Sequence, residues 1–229
     1  MFKDIVTDVF FDLDHTLWDF DKNSALTFEK ILSKCKVQVK LSNFLSTYVP
    51  TNLAFWKLYR ENKISKEELR YQRLRVTFDK LNYTISDELI NNLSEKYIEC
   101  LASFNHLFPG AIAILEYLKP RYNLHIITNG FQEVQERKLE NSGIRHYFDQ
   151  IINSEMAGVK KPDPAIFEMA LSKANVNANK SIMIGDNLEA DILGAKKAGL
   201  HALHFNVHKD EWHEYCDIIH DLHEIKSYL

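Results

Sequence analysis

The sequence is poor in glycine, proline and cysteine, and it contains no long apolar run. Its 229 residues include seven glycines, five prolines and three cysteines, whereas 45% of the residues are hydrophobic and 12% are aromatic. This composition excludes collagen-like and low-complexity chains and is typical of a globular protein with a substantial core. The length fits one large domain or a domain that carries an insertion.

The three cysteines, Cys35, Cys100 and Cys216, are far apart in the chain and lack any CxxC spacing. They therefore predict neither a disulfide framework nor a structural zinc site. No segment approaches about 18 consecutive apolar residues, and the apolar run near the N-terminus is too short for a signal peptide. From these absences we expect a reduced compartment, the cytoplasm, and no membrane partner.

Positive charge is also scarce, because 28 basic residues stand against 32 acidic ones and the net charge is −4. Proteins that bind nucleic acids usually carry a clustered basic surface. We therefore expect no nucleic-acid polymer as a partner, whereas a small phosphorylated molecule is compatible with this charge.

A helical region follows the first apolar run of the chain. From Asp21 to about Phe104, apolar residues recur at the three- and four-residue spacing of amphipathic helices. This pattern predicts four helices, near residues 21–35, 42–62, 65–81 and 86–104.

Short apolar runs alternate with amphipathic stretches from Phe108 onward, which predicts a parallel sheet covered by helices on both faces. The runs are Leu124–Thr128, Gln150–Asn153, Ser181–Gly185 and Ala202–Phe205, and the intervening helices include Gln132–Ser142, Pro164–Asn175 and Glu189–Ala198. Asp217–Ile219 predicts a further strand and Leu222–Leu229 a closing helix. The predicted fold class is α/β, with a core of residues 1–17 and 106–229 and an inserted all-α subdomain of residues 18–105.

Polar residues follow four of the predicted strands, either directly or in the next loop. Ligands of open parallel sheets bind at the carboxyl ends of the strands. Each group alone could be a turn or a helix cap, but all four together predict one site. The groups are Asp12-x-Asp14-x-Thr16, Thr128-Asn129-Gly130, Lys161-Pro162, and Gly185-Asp186 followed by Asp191.

These motifs resemble those of the haloacid dehalogenase superfamily over essentially the whole chain. The matching stretches are FFDLDHTL, IITNG, GVKKPDPAIF and IGDNLEADILGAKKAG. The position of the helical insertion resembles the superfamily's first class of caps. The resemblance implies a Rossmann-like core, a helical cap and Mg²⁺ as cofactor, and a small phosphomonoester as the substrate.

The first motif predicts the two carboxylates that carry the reaction. An aspartate that attacks phosphorus divides hydrolysis into two displacements through an aspartyl-phosphate, and this is the predicted role of Asp12. Asp14 is the predicted acid and base. As the resemblance implies, Mg²⁺ would be bound by carboxylate oxygens of Asp12 and Asp186 and by the backbone carbonyl of Asp14. Asp191 would hold a metal-bound water or Lys161.

Three further residues are predicted to contact the phosphate. Thr128 and the Asn129 amide can donate hydrogen bonds to phosphoryl oxygens, and Lys161 neutralises the charge that remains in the transition state. Possible substrate contacts are His15, Trp18 and Phe20, which follow the catalytic loop.

Membership of a superfamily does not fix the reaction. The haloacid dehalogenases lack an acid/base aspartate at the position of Asp14, which argues against that activity. Sugar-phosphate mutases use a histidine of the cap, and no histidine lies between Thr16 and Asn105. A phosphatase is therefore favoured, and phosphatases of phosphoglycolate or sugar phosphates remain alternatives, as does a non-catalytic protein that binds a phosphate ligand.

Within the phosphatases, the chain resembles bacterial pyrimidine 5′-nucleotidases of the house-cleaning type. The stretches that carry this resemblance are ITNGFQEVQERKLENSGIRHYFD, NLAFWKLYRENKIS and Gln72-Arg73. We expect a monomer or a weak homodimer. We also expect the cap to open and close about linkers near residues 17–21 and 104–108, because water must be excluded in one step and admitted in the next.

Histidines stand out at two places. His15 occupies a position where the superfamily usually has glycine, and histidine is among the residues enriched at positive φ. Six more histidines lie between His201 and His223, but their spacing is irregular. We therefore interpret them as surface and strand-end residues without a metal site of their own.

Overall fold

The computed structural model describes residues 2–229. The chain divides into two compact units. The first comprises the described residues up to Phe20 together with Asn105–Leu229, and the second comprises Asp21–Phe104. No helix in the described chain is both long and apolar enough to cross a membrane.

The first unit is built on a six-stranded sheet in which every pairing is parallel. Its strands are β1 (Asp8–Phe11), β2 (Asn123–Thr128), β3 (Gln150–Asn153), β4 (Ser181–Gly185), β5 (His201–Phe205) and β6 (Asp217–Ile219). Their order in the sheet is β3-β2-β1-β4-β5-β6. The predicted α/β fold class is thus confirmed, and every predicted strand is present.

The position of β1 between β2 and β4 determines where the first motif lies. Phe11, the last residue of β1, is in register with Ile126 of β2 and Ile184 of β4. Asp12 continues the strand direction, and its backbone N–H donates to the Ile184 carbonyl at 2.9 Å. The residues after β1, β2 and β4 therefore meet at one edge of the sheet.

The strand β1 is apolar throughout its centre because both faces of the sheet are covered. Val9, Phe10 and Phe11 have no exposed surface. A strand that is buried on both faces shows a continuous apolar run instead of alternation. Asp12 ends this run where the sheet meets the loops.

Four helices form the second unit: α1 (Phe20–Lys34), α2 (Leu41–Arg60), α3 (Lys66–Lys80) and α4 (Asp87–Cys100). The first residue of α1, Phe20, still belongs to the first unit. The Ser65 hydroxyl accepts a hydrogen bond from the Glu68 N–H, and the Glu68 carboxylate accepts one from the Ser65 N–H, which completes a capping box for α3. The Ser86 hydroxyl caps α4 through the Leu89 N–H. The fourth helix ends earlier than predicted, because the chain tightens into a 3₁₀ turn at Leu101–Ser103.

The interior of the second unit is aromatic with one buried cation. Phe28 lies 4.5–4.7 Å, between ring centroids, from Phe44, Tyr48 and Tyr97. The Arg73 guanidinium lies 5.0 Å from the centre of the Tyr97 ring. Such contacts stabilise a bundle that has few aliphatic core residues in its third helix.

Five α-helices cover the sheet of the first unit: α5 (Ala111–Leu118), α6 (Gln132–Asn141), α7 (Ser154–Ala157), α8 (Pro164–Ala174) and α9 (Gly194–Lys197). The residues at the start of α8 are those that commonly begin helices. The Asp163 carboxylate accepts a hydrogen bond from the Ala165 N–H, and Pro164 occupies the first helical position.

Two of the predicted helices do not have the hydrogen-bond pattern of an α-helix over the predicted length. The stretch predicted as Glu189–Ala198 begins as a π-helix at Leu188–Leu193 before α9. Its wide turn includes a bond from the Ile192 N–H to the Asn187 carbonyl, five residues back. The closing helix predicted at Leu222–Leu229 is a 3₁₀ helix, Leu222–Ser227. Apolar spacing identifies a helix but does not distinguish these registers.

Candidate active site

Lys161 lies between two carboxylates at the carboxyl edge of the sheet. Its Nζ is 2.6 Å from Asp12 Oδ1 and 2.7 Å from Asp191 Oδ1, and it also donates to the Ile127 carbonyl at 2.6 Å. Only 1% of Lys161 is exposed. Asp12 and Asp191 raise the pKa of Lys161 despite its burial, so its ammonium group stays charged.

Among the described residues, three buried aspartates lie close enough together to bind one metal ion. Asp12, Asp186 and Asp191 each offer a carboxylate oxygen, and these oxygens all lie within 4.8 Å of one another. Burial raises the pKa of Asp12 well above its ordinary value, and Asp191 and Asp186 add to this effect while Lys161 opposes it. A single lysine therefore leaves an excess of negative charge.

The donor set of this group fits a hard divalent cation. Such cations prefer carboxylate oxygens and offset their mutual repulsion. Asp186 is held for this role, because its Oδ1 accepts a hydrogen bond from Thr16 Oγ1 at 3.0 Å and its Oδ2 lies 2.9 Å from His208 Nε2. Burial would raise the pKa of Asp186, but the hydrogen bond with His208 and the electrostatic influence of His15 and His208 outweigh it and lower that pKa.

Two of the C-terminal histidines belong to this site, which the sequence interpretation missed. His208 contacts the Asp186 carboxylate, and His204 Nε2 donates to the Asp186 backbone carbonyl at 2.9 Å. His204 is completely buried and its Nδ1 lies 2.9 Å from His213 Nε2. The sequence signal was the position of His204 near the end of a predicted strand. That this strand, β5, lies beside β4 and ends at the same edge is given by the structure.

Helix α6 holds both oxygens of the Asp14 carboxylate. Lys138 Nζ lies 2.6 Å from Oδ1, and Gln135 Nε2 lies 3.0 Å from Oδ2. Burial lowers the pKa of Lys138, although Asp14 opposes the effect. Neither Gln135 nor Lys138 was identified from the sequence.

The hydroxyl of Thr128 is oriented to donate a hydrogen bond. Its oxygen accepts from the Gly130 N–H at 3.0 Å and from Gln135 Nε2 at 2.7 Å. A hydroxyl has two acceptor positions and one proton. With both acceptor positions used, the Thr128 proton is available for a ligand.

The side chain of Asn129 holds the backbone of Lys161. Its Nδ2 donates to the Lys161 carbonyl at 3.0 Å, and its Oδ1 accepts from the Lys161 N–H at 2.8 Å. This pair joins the loop after β2 to the loop that carries Lys161. The side-chain amide is thereby engaged, and the backbone N–H of Asn129 stays as the candidate donor to a phosphate.

The three predicted substrate contacts lie beside Asp14. His15 has φ +64°, the left-handed conformation that its place in the glycine position suggested. Its ring centroid is 5.0 Å from that of Phe20 and 4.8 Å from that of His208. Trp18 is completely buried, and Lys138 Nζ lies 4.3 Å from its ring centre and 5.3 Å from that of Phe20. Their contact with a substrate stays a prediction.

Gly185 is required by a close approach to Asp191. A Cβ built at residue 185 would overlap the carboxylate and Cβ of Asp191. That carboxylate also accepts a hydrogen bond from the Asn187 N–H at 3.0 Å. There is no room for a methyl group without moving Asp191 away from Lys161.

We therefore expect Gly185→Ala to lower the free energy of unfolding by about 1–3 kcal/mol, the usual cost of overpacking a dense core. Displacement of Asp191 should also lower kcat of the enzyme. Urea unfolding and steady-state kinetics of the purified variant measure both effects. Gly143→Ala is the matched control, because a Cβ there meets no atom within 4 Å and only its positive φ of +72° adds strain. Full activity of Gly185→Ala would contradict the packing argument.

Comparison with known proteins shows which family the chain belongs to. The family model described as haloacid dehalogenase-like hydrolase matches residues 9–205. The pyrimidine 5′-nucleotidase YjjG of Escherichia coli (strain K12) is 32% identical over 225 residues, which cover 96% of each chain. The glyceraldehyde 3-phosphate phosphatase of Methanothermobacter thermautotrophicus is 34% identical over 203 residues, which cover 86% of this chain and 84% of that protein.

A solved structure shows the same architecture. The HAD-hydrolase YfnB of Bacillus subtilis, crystallised with bound magnesium, superposes with a TM-score of 0.88 at 26% sequence identity and covers 98% of both chains. The match of the family model over most of the chain confirms the prediction made from the motifs. The chain belongs to the family of haloacid dehalogenase-like hydrolases.

Proposed function

We propose that the protein is a Mg²⁺-dependent phosphomonoesterase that works through an aspartyl-phosphate on Asp12. The observation that carries this proposal is the difference between two neighbouring carboxylates. Asp12 is buried and paired with Lys161, whereas the Asp14 side chain is 22% exposed and lies outside the group of three aspartates. Two carboxylates in different surroundings can divide the roles of nucleophile and acid/base.

In the first step, an Asp12 carboxylate oxygen attacks phosphorus and the bond from phosphorus to the ester oxygen breaks. Asp14 gives a proton to that ester oxygen, which leaves as an alcohol. Lys161 remains charged beside Asp12 and offsets the negative charge that gathers on the phosphoryl oxygens. The Thr128 hydroxyl and the Asn129 backbone N–H donate to the same oxygens.

In the second step, water attacks phosphorus and its proton passes to the Asp14 carboxylate. The bond between phosphorus and Asp12 breaks, inorganic phosphate leaves and Asp12 is restored. Asp12, Asp186 and the backbone carbonyl of Asp14 would hold Mg²⁺, with Asp191 beside them. Bound there, Mg²⁺ supplies positive charge that offsets the repulsion between carboxylates and phosphate.

For the substrate, we propose nucleoside 5′-monophosphates of the pyrimidine class. The support is the similarity to a pyrimidine 5′-nucleotidase that extends over 96% of both chains. The glyceraldehyde 3-phosphate phosphatase matches less of the chain at a similar identity, so a small sugar-phosphate substrate is the second candidate. We propose that the helical unit, Asp21–Phe104, is the cap that makes this choice.

A specific-activity panel tests the substrate class. We expect Mg²⁺-dependent phosphate release from UMP, dUMP and dTMP to exceed release from IMP by about tenfold or more, the selectivity that a binding pocket can supply. Glyceraldehyde 3-phosphate, phosphoglycolate and hexose phosphates complete the panel, and reactions with EDTA serve as the metal control.

The outcomes separate the two levels of the proposal. A preference for the sugar phosphates or phosphoglycolate would reject the nucleotidase assignment and keep the phosphatase. The absence of turnover for every ester, with Mg²⁺ present and the protein folded, would reject the phosphatase and favour a protein that only binds phosphate ligands. Equal rates with Mg²⁺ and with EDTA would reject the metal requirement.

A further inference from the structure

The contacts of Asp14 come from one short helix. Lys138 and Gln135 are three residues apart on α6 and therefore project from the same helical face. Lys138 Nζ lies 2.6 Å from Asp14 Oδ1, and Gln135 Nε2 lies 3.0 Å from Oδ2. The carboxylate is thus held at both oxygens, which fixes its plane as well as its position.

Gln135 also joins Asp14 to the phosphate end of the site. Its one NH₂ group donates to Asp14 Oδ2 and, at 2.7 Å, to Thr128 Oγ1. Gln135 is 99% buried, and its amide lies where a Cβ at Gly130 would be. The glycine after Asn129 therefore makes room for the residue that connects the two groups.

Stability alone gives no reason for a lysine at position 138. Its side chain is 2% exposed, with Nζ against the rings of Trp18 and Phe20. Removing an ammonium group from water costs several kcal/mol, and apolar residues of similar volume often replace buried ion pairs without loss of stability. A buried lysine whose partner is Asp14 is better explained by what Asp14 does.

The geometry points to Lys138 as a positioning residue for the acid/base carboxylate, with Gln135 as its partner. Resting on the proposed function, this inference gives α6 the task of presenting Asp14 to the ester oxygen in a fixed orientation. Misplacement of a catalytic group by about 1 Å can cost about 10²-fold in rate. The loss should fall on the step in which Asp14 gives its proton to the leaving group.

Leaving-group dependence tests this inference. We expect Lys138→Met to lower kcat/KM for the best nucleoside monophosphate of the panel by about 10- to 100-fold, because an alcohol must be protonated as it leaves. For p-nitrophenyl phosphate, whose phenolate leaves without a proton, kcat/KM should change by less than about threefold. Asp14→Asn should show the same contrast with a larger loss.

Matched variants separate this role from a structural one. Lys173→Met makes the same change on the exposed surface of α8 and should leave both kcat/KM values unchanged. Lys138→Met should remain folded, because the Asp14 side chain that it leaves is 22% exposed and keeps its contact with Gln135. If it does not fold, Lys138→Gln removes the charge, leaves the contact between Gln135 and Thr128 in place and should give the same contrast between the two esters.

The inference is rejected if a folded Lys138→Met protein loses equal factors on both esters, or loses nothing on either. Equal losses would mean that Lys138 only supports the shape of the site. Absence of turnover by the unmodified protein would instead reject the proposed function, so the two failures are distinguishable.

Discussion

Asp12→Asn is expected to lower kcat by about 10⁴-fold or more, because the neutral amide cannot form the acyl-phosphate bond. Steady-state assays on the best ester of the panel measure the loss. A substrate labelled with ³²P supplies a second readout, since acid-quenched parent protein should retain label and the variant should retain none. A variant with more than about 1% of the parent kcat would reject Asp12 as the nucleophile.

The structure indicates that this variant should fold normally. Burial raises the pKa of Asp12, which means that the charged carboxylate is less stable in the folded protein than in the unfolded chain. Asparagine has the same size and no charge, and Lys161 keeps its contacts with Asp191 and the Ile127 carbonyl. We therefore expect a melting temperature equal to or above that of the parent, so a loss of activity cannot be attributed to unfolding.

Lys161→Met is expected to have the second largest effect, on both stability and rate. The variant leaves Asp12 and Asp191 buried without the lysine that contacts both of them. Loss of one partner of a buried ion pair costs about 3–5 kcal/mol, which lowers the melting temperature by about 10 °C for a chain of this size. We also expect kcat to fall by about 10²- to 10³-fold, the usual effect of removing one charge-stabilising donor.

Divalent cations should distinguish this charge effect from simple packing damage. Thermal unfolding in EDTA should show the full loss, and addition of Mg²⁺ should stabilise Lys161→Met more than the parent, because Mg²⁺ then supplies the positive charge that Lys161 supplies in the parent. Lys173→Met is the control for the substitution itself. A melting temperature in EDTA equal to that of the parent would show that the carboxylates do not depend on Lys161.

The sequence predicted most of the fold because its signals are local. The apolar runs identify all six strands, including the strand that ends at Ile219. The serines before α3 and α4 identify where these helices begin, since a hydroxyl cap needs only the next three residues. Helix type was less predictable: the π-turn around Asp191 and the closing 3₁₀ helix depend on hydrogen-bond register, which apolar spacing does not encode.

The sequence also determined where the two aspartates of the first motif lie. A strand that is buried on both faces can end in carboxylates only where the sheet meets the loops, so Asp12 and Asp14 had to lie at its edge. The order of the strands then places the loops after β2 and β4 beside them. Local pattern and strand order together account for the position of Thr128 and Asp186.

Only the tertiary structure decided which distant side chains hold these groups. Lys138 lies in a charged stretch, QEVQERKLEN, where it has the pattern of an exposed helical lysine, yet packing places its ammonium group against Asp14. His204 and His208 likewise reach Asp186 only because β5 lies beside β4. A short motif identifies the candidate reacting residues, because these residues are close together in the chain at a fixed spacing. The partners that orient them come from other elements, and their approach depends on how those elements pack.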